Sequence, residues 1–196
     1  MTATDSELLH AWRDGDSLAG NELFSRYYDL VYRFFSTKAE PASLDDLVQK
    51  TFLGCVGGRD RFRGDASFRT YIYATARNVL YQDFDRRRRD GARFEPEWSS
   101  VHDLAPTPSA ALALHSQQQL LAEALRRIPV NYQIALELYH YEGLVAREVG
   151  TVHGVPEPTI RTWLHRGKQK LREQLEKLAA SPSLLESTLS DLARWV

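Results

Sequence analysis

Arg59, Arg61 and Arg63 alternate through a short stretch around Phe62, bracketed by Gly58 and Gly64. Downstream, Tyr71, Tyr73 and Tyr81 accompany Arg77 and Asn78. Guanidinium groups hold phosphates and aromatic rings stack on bases, so this mixture suits bases released from a duplex. Any single tyrosine is more often packed than binding; a loop of three arginines carries more weight. A second basic cluster has a different character. Residues 161–172 hold Arg161, Arg166, Lys168, Lys170 and Arg172 without an acid, and Thr159, Thr162, His165 and Gln169 lie among or just before them. Arginine can read a guanine edge through two hydrogen bonds, while Lys, Thr and Gln hold phosphate oxygens.

Other chemistries find little support. The six histidines are scattered, Cys55 is the single cysteine, and no Cys/His pair has metal-ligand spacing. Walker, GxSxG and HExxH motifs are absent. No catalytic, cofactor or metal site is expected, and an enzyme is disfavoured. One cysteine excludes an internal disulfide. No run approaches the roughly 18 apolar residues of a membrane span, and MTATDSELLH lacks a basic start followed by an apolar stretch. A cytoplasmic protein without membrane insertion is expected.

The elements that must position these residues read as helices. Leu23, Phe24, Tyr27, Val31, Phe34 and Phe35 recur at helical spacing. Ser43 followed by Asp46 reads as a capping box that opens a stripe of Leu44, Leu47, Val48 and Phe52, which Gly57-Gly58 then breaks. From about Ser67, a third segment places Phe68, Ile72, Ala76, Val79 and Leu80 on one face and ends in four arginines. Pro96, Pro106 and Pro108 interrupt a stretch without clear period, read as a linker with at most partial order. Periodicity resumes near Ser116. Val145 to about Val152 forms a short helix, Gly154-Val155-Pro156 a turn, and a second helix follows with Pro158 in its first turn. There Ile160, Leu164, Gly167, Leu171 and Leu175 share one face, and Thr162, His165, Arg166 and Gln169 point furthest from it. An apolar back and a basic front suit a helix-turn-helix entering a major groove. An ordinary amphipathic hairpin is the bland alternative. Leu184, Leu185, Leu189, Leu192 and Trp195 suggest a final short helix.

Net charge is −1, but its distribution is uneven. Residues 1–58 carry 5 basic and 9 acidic side chains, and residues 59–93 carry 10 arginines against 5 aspartates. Residues 94–125 hold 4 acids and no Lys or Arg, and residues 126–196 hold 10 basic and 8 acidic groups. Two basic patches with an acidic joint suggest two contacts with a polyanion.

The stretches LFSRYYDLVYRFF, SLDDLVQKTFLGC and FRGDASFRTYIYATARNVLYQDFDRRRR, in that order, resemble regions 2.1 through 2.4 of an extracytoplasmic-function (ECF) sigma factor of the sigma-70 family. ALRRIPVNYQIALELYHYEGL and REVGTVHGVPEPTIRTWLHRGKQKLR are similar to regions 4.1 and 4.2. Tyr71 stands where the family usually has Trp, Gly150 for a common Ala, His153 for a common Leu, Pro158 for a usual Gly and Trp163 for a usual Arg. The resemblance implies an all-α fold of two small helical domains joined by a flexible linker: region 2 over 1–92, linker 93–115, region 4 over 116–177, and an extension over 178–196. It implies a factor, monomeric within the holoenzyme, that binds core RNA polymerase through the β′ coiled coil and β flap and directs promoter-specific initiation. Region 2 would open the −10 element with Arg59, Arg61, Arg63, Tyr71, Arg77 and Asn78. Region 4 would read the −35 duplex with Thr159, Arg161, Thr162, His165, Arg166, Lys168 and Lys170. By residue match, Asp45, Asp46, Gln49, Lys50 and Phe52 would dock on the polymerase; the two acids also favour a helix N-terminus. An anti-sigma factor is a further candidate partner. The alternative is a helix-turn-helix regulator acting without polymerase docking.

Overall fold

The computed structural model describes residues 3–59, 62, 66–87, 95–104 and 116–193. These form helices α1 (Asp5–Arg13), α2 (Ser17–Ser36), α3 (Leu44–Gly58), α4 (Phe68–Arg87), α5 (Val101–Leu104), α6 (Gln117–Arg126), α7 (Val130–Leu136), α8 (Ala146–His153), α9 (Glu157–Leu178) and α10 (Pro182–Ala193). No β-strand occurs among the described residues; Ser100 and Pro129 form an isolated bridge. The chain divides into two compact units, the first built mainly from α1–α4 and the second mainly from α5–α10.

In the first unit, α1 begins with a reciprocal cap. The Glu7 amide donates to Thr4 Oγ1 (3.3 Å), and the Thr4 amide donates to Glu7 Oε2 (2.7 Å). Gly15, at φ 104°, turns the chain, and Asp16 caps α2 by accepting from the Leu18 and Ala19 amides. Leu8, Leu9 and Trp12 are buried as α1 packs on α2. The Trp12 indole lies over Gly20, where a β-carbon would collide with the ring. Asp5 accepts from Arg26 (3.0 Å) and from the Tyr27 hydroxyl, tying the two helices together. From α2, Leu23, Tyr27, Val31, Phe34 and Phe35 are buried in the core, as are Leu47, Val48 and Cys55 of α3 and Ile72 and Leu80 of α4.

The start of α3 differs from the sequence reading. A 3-10 turn over Pro41–Ser43 precedes it, Ser43 is already in a helical conformation, and its hydroxyl caps nothing. The expected capping box is absent because an N-cap side chain reaches back to the helix only from extended backbone. Nor do the paired glycines break α3, which runs through Gly58. Instead Gly54 and Gly58 let α4 approach closely: a β-carbon on Gly54 would lie 2.9 Å from Thr75 Cγ2, and one on Gly58 would strike the Tyr71 hydroxyl.

In the second unit, residues 95–104 are not loose. The Val130 amide donates to Ser99 O (3.0 Å) and the Asn131 amide to Pro96 O (3.2 Å), which satisfies the free amides at the start of α7. Val101 is fully buried, and His102 Nδ1 lies 3.4 Å from Glu123. All of α7 is buried, and it continues into a π-helical turn over Glu137–Tyr141. Its Tyr132 and Leu136 pack so tightly on α9 that a β-carbon at Gly167 would sit 3.2 Å from both. The expected stripe of Ile160, Leu164, Gly167, Leu171 and Leu175 is the buried face of α9. Finally α10 packs against α6 and α9, with Thr188 buried.

Candidate nucleic-acid and polymerase-binding surfaces

On α3 the apolar stripe faces inward and leaves Asp45, Asp46, Gln49 and Lys50 exposed. Lys50 and Asp46 pair at 2.6 Å across one turn. Phe52 is half-buried, its ring 5.0 Å from Phe24 and stacked 6.4 Å from exposed Tyr28. The same exposed arc contains Leu53 (61% exposed) and Val56 (47%). Apolar side chains beside acidic ones on an outer helix face make this arc a candidate protein-contact surface. Leu53, Val56 and Tyr28 escaped the sequence reading. The signal was present in Leu53, which falls outside the buried stripe but within one turn of Gln49.

At the junction of α3 and α4, Arg59 donates from Nη1 to the Trp12 carbonyl (3.2 Å), with its guanidinium 5.6 Å from the indole centre. Phe62 is buried, its ring 4.6 Å from Tyr71 and 6.5 Å from Phe68. Tyr71 is therefore half-buried against Phe62 and Phe68, its hydroxyl directed at Cys55 O. Arg77 lies over the Tyr81 ring (4.5 Å) and donates to Asn78 Oδ1 (3.1 Å); Asn78 is exposed. Tyr73, by contrast, is a core residue packed on Phe34. Arg61 and Arg63 lie outside the described residues.

The helix-turn-helix consists of α8, a turn and α9. Gly154 adopts φ 69°, which ends α8 as glycine does readily. The turn then folds back over α8, its Val155 amide donating to Gly150 O (3.0 Å). Space for this exists because residue 150 is glycine: a β-carbon there would stand 2.7 Å from Val155 O. His153 is buried. Pro158 lies in the first turn of α9. Arg161, Thr162, His165, Arg166, Gln169 and Lys170 are exposed, while Thr159 and Lys168 are half-buried. Arg161 forks onto Glu157 Oε1 from Nε (3.0 Å) and Nη2 (2.6 Å), and Thr162 donates to Pro158 O. Gln169 Nε2 is 3.2 Å from His165 Nε2. Trp163 is half-buried, edge-on to Tyr132 at 6.2 Å, and so braces α9 on α7. Burial and the Lys168 ammonium push His140 down to about 4. Among the described residues no group of three His, Cys, Asp or Glu side chains could hold a metal ion, and no helix is long and apolar enough to cross a membrane.

Comparison with known proteins separates the same two parts. The sigma-70 region 2 family matches residues 23–90, and the sigma-70 region 4 family matches residues 118–171. An ECF RNA polymerase sigma-E factor from Haemophilus influenzae is 23% identical over 183 residues, covering 89% of this chain and 97% of its own. The RNA polymerase sigma factor CarQ of Myxococcus xanthus is 29% identical over 174 residues, covering 87% of this chain and 97% of the relative. Among solved structures, CnrH in complex with the cytosolic domain of CnrY superposes with a TM-score of 0.67 at 19% identity, covering 89% of this chain and 99% of that one. The sigma factor RpoE of Bartonella quintana, solved with the anti-sigma factor NepR, gives 0.56 at 22% identity, over 78% and 96%. Two helical units matched in this order by sigma-70 regions 2 and 4, the second carrying a helix-turn-helix, define an initiation factor of the sigma-70 type. The chain belongs to the sigma-70 family, within its ECF group.

Proposed function

We propose that the chain binds core RNA polymerase and takes it to specific promoters, the first unit holding an opened −10 strand and the second reading the −35 duplex. The observation that carries this is α9. Its buried stripe packs on α7, and Arg161, Thr162, His165, Arg166 and Gln169 emerge together on the opposite face, beside a turn shaped for groove entry. In the first unit, Arg61, Arg63, Tyr71, Arg77 and Asn78 supply phosphate contacts and ring faces for single-stranded bases, which offset a few kcal/mol of unstacking per step. The phosphodiester chemistry belongs to the polymerase, and the chain itself is not an enzyme. The exposed acidic and apolar arc of α3, with Asp45, Asp46, Gln49, Lys50, Phe52, Leu53 and Val56, serves polymerase docking. A regulator acting alone would have no use for it. Work in the cytoplasm follows, and an anti-sigma factor is a natural partner, since the Bartonella sigma factor was solved in complex with one.

Run-off transcription with core polymerase on a genomic promoter library tests the proposal. Transcripts should start at defined promoters only when the chain is present. The double variant Asp46→Arg, Gln49→Ala should lose co-purification with core polymerase while keeping its helical spectrum. Tight, specific binding to duplex promoters by the chain alone, without any polymerase-dependent transcript, would favour the regulator instead.

A further inference from the structure

The region 2 match begins at residue 23, so α1 lies outside it. Yet α1 reaches the corner between α3 and α4. Trp12 lies in the last turn of α1; it is 6% exposed, seated over Gly20 and edge-on to Phe24 at 5.0 Å. Its carbonyl belongs to the last turn of a helix, where acceptors carry partial negative charge. Arg59, the first residue after α3, donates to that carbonyl and sets its guanidinium beside the indole face. From Arg59 the tie passes on. The Phe62 amide donates to Gly58 O (3.2 Å) and Arg59 O (3.4 Å), and the Phe62 ring packs on Tyr71. Phe24 in turn meets Phe68, the first residue of α4, at 6.5 Å.

We infer that Trp12 and Arg59 are positioning residues: α1 fastens the exit of α3 so that Phe62 and Tyr71 are held in place for strand opening. This rests on the reading of Tyr71 and its neighbours as the −10 surface. Arg59 then acts through Trp12 rather than on DNA. A hydrogen bond and a ring contact made before promoter binding spare the complex the entropy of ordering this corner.

The test uses the full chain with Arg59→Ala, Trp12→Leu and both together; Gly20→Ala, which pushes a methyl into the indole, displaces Trp12 by another route. Two readouts are taken. Hydrogen exchange at the Phe62 amide of the free protein should rise about tenfold in each variant while α2 core amides stay protected. In holoenzyme, open-complex formation should fall about fivefold more on duplex promoters than on pre-opened ones, and the double variant should be no worse than the worse single. Independent losses that multiply in the double variant would show that Arg59 touches DNA directly and would overturn the inference. So would unchanged exchange at Phe62. Should exchange rise while opening is untouched in these variants, the functional half falls. Tyr71→Ala then separates the causes: if it also spares opening, the −10 reading of this surface is what failed.

Discussion

Gly150 shows how one hydrogen in place of a methyl decides the local path of the chain. Helix propensity alone favours alanine there by about 1 kcal/mol, and the family commonly has it. In this chain the Val155 carbonyl occupies the space, and a backbone atom cannot swing aside as a side-chain tip can. Gly150→Ala should therefore lower stability by about 1–3 kcal/mol despite the better propensity, read as a lower urea midpoint; an unchanged or higher midpoint would mean the turn adapts freely. His140 supplies a second prediction. Its folded value of about 4 lies below the ordinary unfolded value near 6.5. The unfolded chain therefore takes up the proton first. The stabilisation is complete above about pH 6.5 and is lost as pH falls toward 4. His153, pushed down to about 3 by burial, acts in the same direction. Between pH 7.5 and 5 the wild type should lose more stability than His140→Gln, by on the order of 1 kcal/mol; parallel losses in both proteins would show that His140 protonates freely in the fold.

Among the elements, 95–104 changes what counts as the second unit. Its carbonyls satisfy amides at the start of α7, and Val101 is buried on that unit. A fragment 95–193 should melt several degrees above a fragment 116–193, since the shorter one uncovers apolar surface and leaves α7 amides without partners. Equal melting temperatures would mean that 95–104 merely rests there. This contribution was hard to foresee from sequence, because two carbonyls and one valine make no periodic pattern. Where one face of a helix is buried and the other solvated, the pattern is fully legible, and α9 was readable residue by residue. In α4 it was not. Thr70, Tyr73, Asp83 and Phe84 are buried as well as Phe68, Ile72, Ala76 and Leu80, so neighbours surround the helix and blur its stripe. The Ser43 cap failed for a local reason, the 3-10 turn ahead of it. Of the candidate site, the exposed face of α9 and the polar arc of α3 were visible as residue types. The ties that hold Arg59 to Trp12 and Arg161 to Glu157 depend on rotamers and on a contact 47 positions apart.

At the scale of the whole molecule, fastening Pro96 and Ser99 to α7 alters the reach of the chain. With those bonds in place, seven residues, 88–94, lie between Arg87 at the end of α4 and Glu95, where the segment fastened to α7 begins. Fully extended, they and their flanking bonds span at most about 28 Å. Residues 105–115 depart from and rejoin the same unit, so their length adds nothing to that reach. The number of base pairs tolerated between the two promoter elements should accordingly answer to one stretch and not the other. Two residues inserted between Asp90 and Gly91 add about 7 Å, or roughly two base-pair steps; they should widen the range of spacers that support transcription, while the same insertion after Pro108 should leave it alone. Identical spacer profiles for the two insertions would refute this. A connection that short would act as a ruler, and promoter choice would then depend on length as well as on letters.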